Sequence, residues 1–539
     1  MSSLPERPHL DHLRKQAKEL LRDWRAGDAA AFQQLRQYLP AAKGRSDAEL
    51  SALPLLLRDA QSCIARQYGF PSWQELKDYV DWKVAYASGK PDLFSWLSLL
   101  YSGDVTGGRG HARPALALRI LGEHPQLAQS NVYVGCALGD EARIREAIAA
   151  EASWVNRAGG LLKLPPLVAV THSSLGRNDV YRERLRRCVR LLLEAGANPK
   201  QSIGNRNPPD SLEKPGGAQL TALYGAASQA QDPQMSRMLL IAGADPNDGE
   251  SLYHAAGSEE CVRVLLEHGA RPDSNILANA IAHSNVGAVR LLLQHGADAN
   301  AAGAQHISPL VFAIRGRRPA QIVSALLEHG AAPHVRTPDN QSAYKYALAA
   351  GLPEIAAMLE KAGAREDLSI EDAFVAACAC CDEREARRLL ALQPDIFERL
   401  GSQRLRCLPE MVWNGCDAPA RLMVQLGWPI AARGGDEPFF GSALNWAVFR
   451  GNAPMTQFLL EHGASWTERH GYEDNVMGTL SWSSMNQPPE FGDYAGCARA
   501  LVAHGMPRAR RPEGNAVEID GRVMKFSEEV VDALLSPSS

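Results

Sequence analysis

The chain has 539 residues, a formal net charge of −4, 45% apolar residues and 22% charged residues. Those proportions argue against wholesale disorder, and the charge balance argues against a dedicated nucleic-acid binder, which carries a basic face or tail. No run approaches the roughly 18 apolar residues of a membrane helix, no signal segment opens the chain, and the 10 cysteines are scattered without a disulfide framework. These features predict a cytoplasmic chain with reduced thiols, and a eukaryotic nucleus fits them equally well.

Taken in order, residues 1–88 read as a small helical domain or cap. Leu10, Leu13, Ala17, Leu20, Leu21 and Trp24 follow a 3–4 spacing and predict an amphipathic helix. Phe32, Leu35 and Leu39 predict a second, and a third runs from near Pro54 to Tyr68 and stops at Gly69. Ser72 and Glu75 form a capping box that opens a fourth. Residues 89–129 read as a helical connector. Within it, Gly103-Asp-Val-Thr-Gly-Gly-Arg-Gly110 is glycine-rich but lacks the Gly-Lys-Ser/Thr ending of a phosphate loop, and is read as a plain loop. Val132–Asp140 and Ile144–Ile148 predict a degenerate helix pair.

From there a phrase recurs. Val189-Arg-Leu-Leu-Leu-Glu-Ala-Gly-Ala-Asn-Pro199 returns at Met238, Val262, Val289, Val323 and Phe458, with weaker copies at Ala357, Leu422 and Leu501. The paired leucines lie on the apolar side of a short helix, and the glycine caps it in the left-handed conformation. Between copies lies a second short helix opening Thr/Ser-x-Leu-x-x-Ala, at Thr221, Ser308, Ser342 and Ser442, where the hydroxyl is a good N-cap. Gly296 to Gly330 spans 34 residues and Gly330 to Gly363 spans 33. Gly243 to Gly269 spans only 26 and Gly269 to Gly296 only 27, which predicts units without most of a protruding hairpin. The 47-residue interval from Gly196 to Gly243 holds a Pro/Gly-rich loop at 205–217, and the 42-residue interval from Gly463 to Gly505 holds another long loop.

Period, phrase and cap together resemble the ankyrin repeat. The resemblance covers residues 130–506 and implies an all-α ankyrin-repeat solenoid of roughly nine units, with residues 507–539 as a C-terminal cap. Leu4-Pro-Glu-Arg-Pro8 and Tyr68-Gly-Phe-Pro-Ser-Trp73 are similar to a leader found on a group of bacterial ankyrin proteins. The family's contact positions, carried over residue by residue, are His172, Ser228, Gln229, His283, Arg315, Phe449 and Arg450. Arg317 and Arg318 follow and extend a positive patch. At one hairpin tip Phe439 and Phe440 are predicted to stand in solvent, where adjacent phenylalanines point to a partner. The candidate partner-binding set is Arg315, Phe439, Phe440, Phe449, Arg450, His283 and Gln229.

Phe312, Tyr346, Trp413, Trp446 and Trp482 share one slot of the Leu-x-x-Ala helix. The resemblance implies that this slot faces the core, although an aromatic ladder on a concave face would make a binding strip. Cys378, Cys380 and Cys381 lack the second ligand pair of a zinc site and read as thiols packed in a buried helix. No recognisable catalytic motif is present. The expectation is a monomeric scaffold that binds a protein on its concave surface, with no cofactor, nucleic acid or membrane. Two alternatives are an inhibitor of the immunity-protein or antitoxin type, and an enzyme with a site near the long insertions.

Overall fold

The computed structural model describes residues 4–5, 8–53, 55–85, 92–108, 110–303, 307–435, 438–487, 491–513 and 516–535. The predicted domain boundary at residue 88 lies outside them, as do Arg109 of the glycine-rich loop and Asp436 and Glu437 of the phenylalanine hairpin. The chain is mostly helical, 60% of it, with few short strands. It packs as two compact units: residues 77–343, and residues 1–76 together with 344–539.

In the unit of residues 77–343, successive helices alternate between two rows. The helices Pro233–Ile241, Glu259–Glu267, Val286–Gln294 and Ala320–Glu328 pack each on the next, and the helices between them, Ser251–His254, Ser274–Ala282 and Pro309–Arg315, form a second row. The recurrent phrase explains each helix of the first row. Its apolar residues, such as Val289, Leu292 and Leu293, are buried. The histidine after it turns its ring back onto the helix. Nδ1 of His268, His295 and His329 stands 2.8, 2.9 and 2.8 Å from the carbonyl four residues earlier. The glycine then takes a positive φ, +91° at Gly296 and +85° at Gly330. A Cβ added to either glycine would meet no atom within 4 Å, so backbone conformation rather than space requires glycine there. The following alanine N–H closes onto the orphan carbonyl five residues back, Ala297 to Leu292 at 2.9 Å.

Adjacent repeats are also tied by asparagine side chains in the turns. Asn300 donates to the Gly330 carbonyl and accepts from Ala332 N–H, both at 2.8 Å. Asn247 does the same with Gly269 (3.0 Å) and Arg271 (2.9 Å), and Asn156 with Gly196 (3.0 Å) and Asn198 (2.7 Å). Each amide satisfies one donor and one acceptor that the turn leaves unpaired. Among the described residues, no strand occurs between Gly243 and Gly296, as the short spacings predicted.

The loop 205–217 is not a free excursion. Residues 202–204 and 219–221 pair as antiparallel strands at its base. Arg206 is buried and donates from Nη1 to the carbonyls of Val105 (2.7 Å) and Leu162 (2.8 Å). Its backbone N–H donates to the Asp104 carbonyl at 2.9 Å. The glycine-rich segment at 103–108 is therefore the seat of the insertion.

In the other unit, the N-terminal helices are Leu10–Arg25, Ala29–Tyr38 and Leu57–Gln67; the fourth predicted helix, Trp73–Ala85, begins there and runs past residue 76. The first buries Leu13, Ala17, Leu20 and Leu21. A further short helix, Asp47–Ser51, carries a full capping box from Ser46 and Glu49. This segment meets the C-terminal one through charge: Arg14 lies 3.1 Å from Glu528, and Lys18 lies 3.0 Å from Glu528 and 2.7 Å from Asp532. Helix pairs recur from Ile370–Ala379 to Tyr494–Ala503 around one apolar core. The chain then departs from the all-helical expectation. Arg510–Glu513, Ala516–Ile519 and Arg522–Lys525 form a three-stranded antiparallel sheet before a last helix, Glu528–Leu535. The second turn of that sheet is Asp520-Gly521, both at positive φ, the conformation that a two-residue hairpin requires.

Candidate functional site

Three helices of the second unit, Cys407–Trp413, Ala443–Phe449 and Val476–Asn486, pack side by side. They carry an aromatic surface. Trp446 is its buried root: its indole N–H donates to the Gly434 carbonyl at 2.9 Å. Gly435 lies against the ring, where a Cβ would stand 2.4 Å from Trp446 Cζ2. Phe439, at 4.4 Å between centroids, and Trp413, at 4.5 Å, flank the indole. Phe449 stacks on Trp482 (5.6 Å, 13° between planes) and meets Trp413 edge-on at 5.6 Å. His470 stacks on the far side of Phe439 at 4.6 Å.

The surface of this cluster is open. Trp413 is 37% exposed, Trp482 52% and Tyr472 63%. The expectation that the shared aromatic slot faces the core holds for Trp446 and fails for Trp413 and Trp482; Phe312 and Tyr346 are half-buried. Large aromatics that neighbour one another and stay in water are the residues that dominate protein interfaces.

The predicted contact residues divide between the units. Phe439 and Phe449 join the aromatic cluster. Phe440 does not: its backbone sits at positive φ, and its ring lies beneath the guanidinium groups of Arg406 (5.6 Å) and Arg433 (5.3 Å). Both hairpin phenylalanines are half-buried, which corrects the expectation that they stand in solvent. The ring neighbours that cover them come from residues more than 25 positions away as well as from the hairpin itself, beyond the reach of a local reading. Arg450 donates from Nη1 to the Trp413 carbonyl at 2.9 Å and so ties the aromatic helices together.

Gln229, His283 and Arg315 belong to the other unit, each at the C-terminal end of a short helix. His283 and Arg315 are exposed. Gln229 closes one π-helical turn, Gly225–Gln229, and its amide turns inward to the Tyr224 hydroxyl (3.2 Å) and Asp104 (3.4 Å). Tyr224 donates to the same Asp104 carboxylate at 3.0 Å. His172, predicted as a contact, is instead buried beside this network, with its ring 5.6 Å from that of Tyr224. Its Nε2 has no hydrogen-bond partner among the described residues. The reason is steric and local: Gly225 leaves the space that the imidazole fills, since a Cβ there would lie 2.4 Å from Nδ1.

Burial lowers the His172 pKa to about 4, against a smaller opposing pull from Asp104. The unfolded chain binds this proton near pH 6.5 and the folded chain does not, so stability is complete above pH 6.5 and falls as pH drops toward 4. The loss expected by pH 4 is about 3 kcal/mol. Urea unfolding followed from pH 7 to pH 4 should show that acid limb in the native chain. It should be flatter in His172→Asn, and an equal slope in both would assign the acid lability elsewhere.

The cysteine reading is corrected in part. Cys378 is buried, and burial pushes its thiol up to about 12, but Cys380 and Cys381 are exposed. Among the described residues, no group of three or more His, Cys, Asp or Glu is placed to hold a metal ion. No described helix is long and apolar enough to cross a membrane.

A family model described as ankyrin repeats (3 copies) matches residues 223–303. Over that part of its length the chain carries ankyrin repeats. Ankyrin repeats are in general protein–protein interaction modules. No match was found among curated proteins.

Proposed function

We propose that this ankyrin-repeat protein is a binding scaffold without catalytic activity, and that its partner is a protein docked on the aromatic face of residues 407–486. One observation carries this reading: Trp413 and Trp482 stand exposed on either side of Phe449. Aromatic anchors of this kind cluster at interface centres, and the buried Trp446 below them keeps them rigid, which lowers the ordering cost of binding. Arg450 contributes from the rim. In this reading the repeats form a solenoid with a concave binding face, the helices before residue 77 serve as a cap held to the C-terminal helix by Arg14 and Lys18, and the protein acts as a monomer in the cytoplasm. His283 and Arg315 extend the same kind of face in the other unit.

The test is affinity capture from the native cell with the wild-type chain and with Trp413→Ala/Trp482→Ala in parallel. Both substitutions are at exposed positions, and circular dichroism checks that the fold is kept. A protein held by the wild type and reduced at least thirtyfold in affinity with the variant is expected, from about 2 kcal/mol at an anchor. Equal retention of every partner would place binding elsewhere.

A further inference from the structure

A second surface lies in the unit of residues 77–343, and its chemistry differs from that of the aromatic face. Between the short helices Ser251–His254, Ser274–Ala282 and Pro309–Arg315 runs a groove of about 520 Å³. That is the size of a site for a few side chains rather than for a whole protein domain. Its floor includes Tyr253, Ile276, Ala278 and Phe312. Ile276 and Phe312 are half-buried, and Tyr253 is exposed. The groove is open because the units spaced at 26 and 27 residues lack the hairpin that would otherwise rise beside it.

Its charged rim has one sign. Glu250 and Asp273 line it, and no lysine or arginine does among the described residues. Asp273 uses Oδ1 to cap the helix Ser274–Ala282, accepting from Asn275 and Ile276 N–H at 2.9 Å each. Its Oδ2 has no hydrogen-bond partner among the described residues and is free for a ligand. Glu250 shares its carboxylate with His254 at 3.2 Å. An apolar floor under two carboxylates attracts a cation carried on an apolar segment and repels an anionic one.

We propose that this groove binds a peptide segment in which a lysine or arginine stands next to an aliphatic side chain. The aliphatic group seats on Ile276 and Phe312, and the cation lies between Asp273 and Glu250. This site goes beyond the aromatic surface and does not rest on it, so either can fail without the other.

The experiment selects a random dodecapeptide library displayed on phage against the full chain at low salt, with counter-selection against Ile276→Gln. The expected result is a set of Ile276-dependent peptides enriched in Lys or Arg within two positions of Leu, Ile or Met. One of them, made synthetically with a fluorescent label, should bind in an anisotropy titration. Asp273→Asn with Glu250→Gln should weaken it at least fivefold, while Trp413→Ala leaves it unchanged. Asparagine keeps the helix cap, and circular dichroism confirms the fold of each variant. No Ile276-dependent peptides, such peptides without basic enrichment, or equal binding by the carboxylate variant would each overturn the proposal.

Discussion

Asp232→Ala should cost about 3–5 kcal/mol of stability in the unit of residues 77–343. Asp232 is fully buried and does two things at once. Its carboxylate takes a bidentate pair of hydrogen bonds from Arg186, Nε at 2.7 Å and Nη2 at 2.9 Å. It also caps the helix Pro233–Ile241, accepting from Gln234 and Met235 N–H at 3.0 Å each. Alanine removes the cap, worth about 1 kcal/mol, and leaves the largely buried Arg186 without its main counter-ion. Arg186 retains only Glu183, itself 60% exposed. Asp232→Asn keeps the cap and should lose less. Adding Arg186→Met to Asp232→Ala should recover part of the loss, because the two changes share one interaction. Urea unfolding followed by circular dichroism, with hydrogen exchange on residues 179–194 and 233–241, measures this. A loss under about 1 kcal/mol would mean that solvent, not Asp232, satisfies Arg186.

Trp446→Ala should be comparably severe, about 3–5 kcal/mol, and should act on the other unit. The indole is buried and contacts Phe439, Trp413 and Phe449, and its N–H is the donor that satisfies the Gly434 carbonyl. Removing it leaves a cavity beneath the hairpin and takes away the indole donor to the Gly434 carbonyl. Trp446→Phe keeps most of the volume and should cost about 1–3 kcal/mol, the share of the lost hydrogen bond. Thermal unfolding separates the two variants. Near-equal losses would show that the hydrogen bond, not the packing, holds the hairpin. Partner binding should fall in both in proportion to how far Trp413 and Phe449 lose their support.

The repeats were legible because each is local. The leucine pair, the C-terminal glycine and the Ser or Thr cap lie within one helix and its ends, so period and chemistry agree without knowledge of neighbours. Features that depend on distant residues were not. Phe439 and Phe440 sit in a turn that reads as exposed, yet His470 and Arg406 close over them. His172 occupies a contact position of the family, yet Gly225, more than 50 residues later, makes room for its ring inside. Trp413, Trp446 and Trp482 have the same slot, and their exposure depends on what lies above each. Only Trp446 is covered, by Phe439 and Gly435 from the hairpin before it. Two further features have a local signal in the sequence. Asp520-Gly521 between alternating residues is a hairpin turn, and the asparagines at 156, 247 and 300 recur at the same place in the turns that they bridge.

Hydrogen–deuterium exchange of the chain, alone and with the partner recovered by affinity capture, tests the docking surface most directly. New protection is expected at residues 411–415, 444–452 and 478–486, where Trp413, Phe449, Arg450 and Trp482 lie. Unchanged exchange across all three segments, with protection confined to other repeats, would contradict a docking role for the aromatic face.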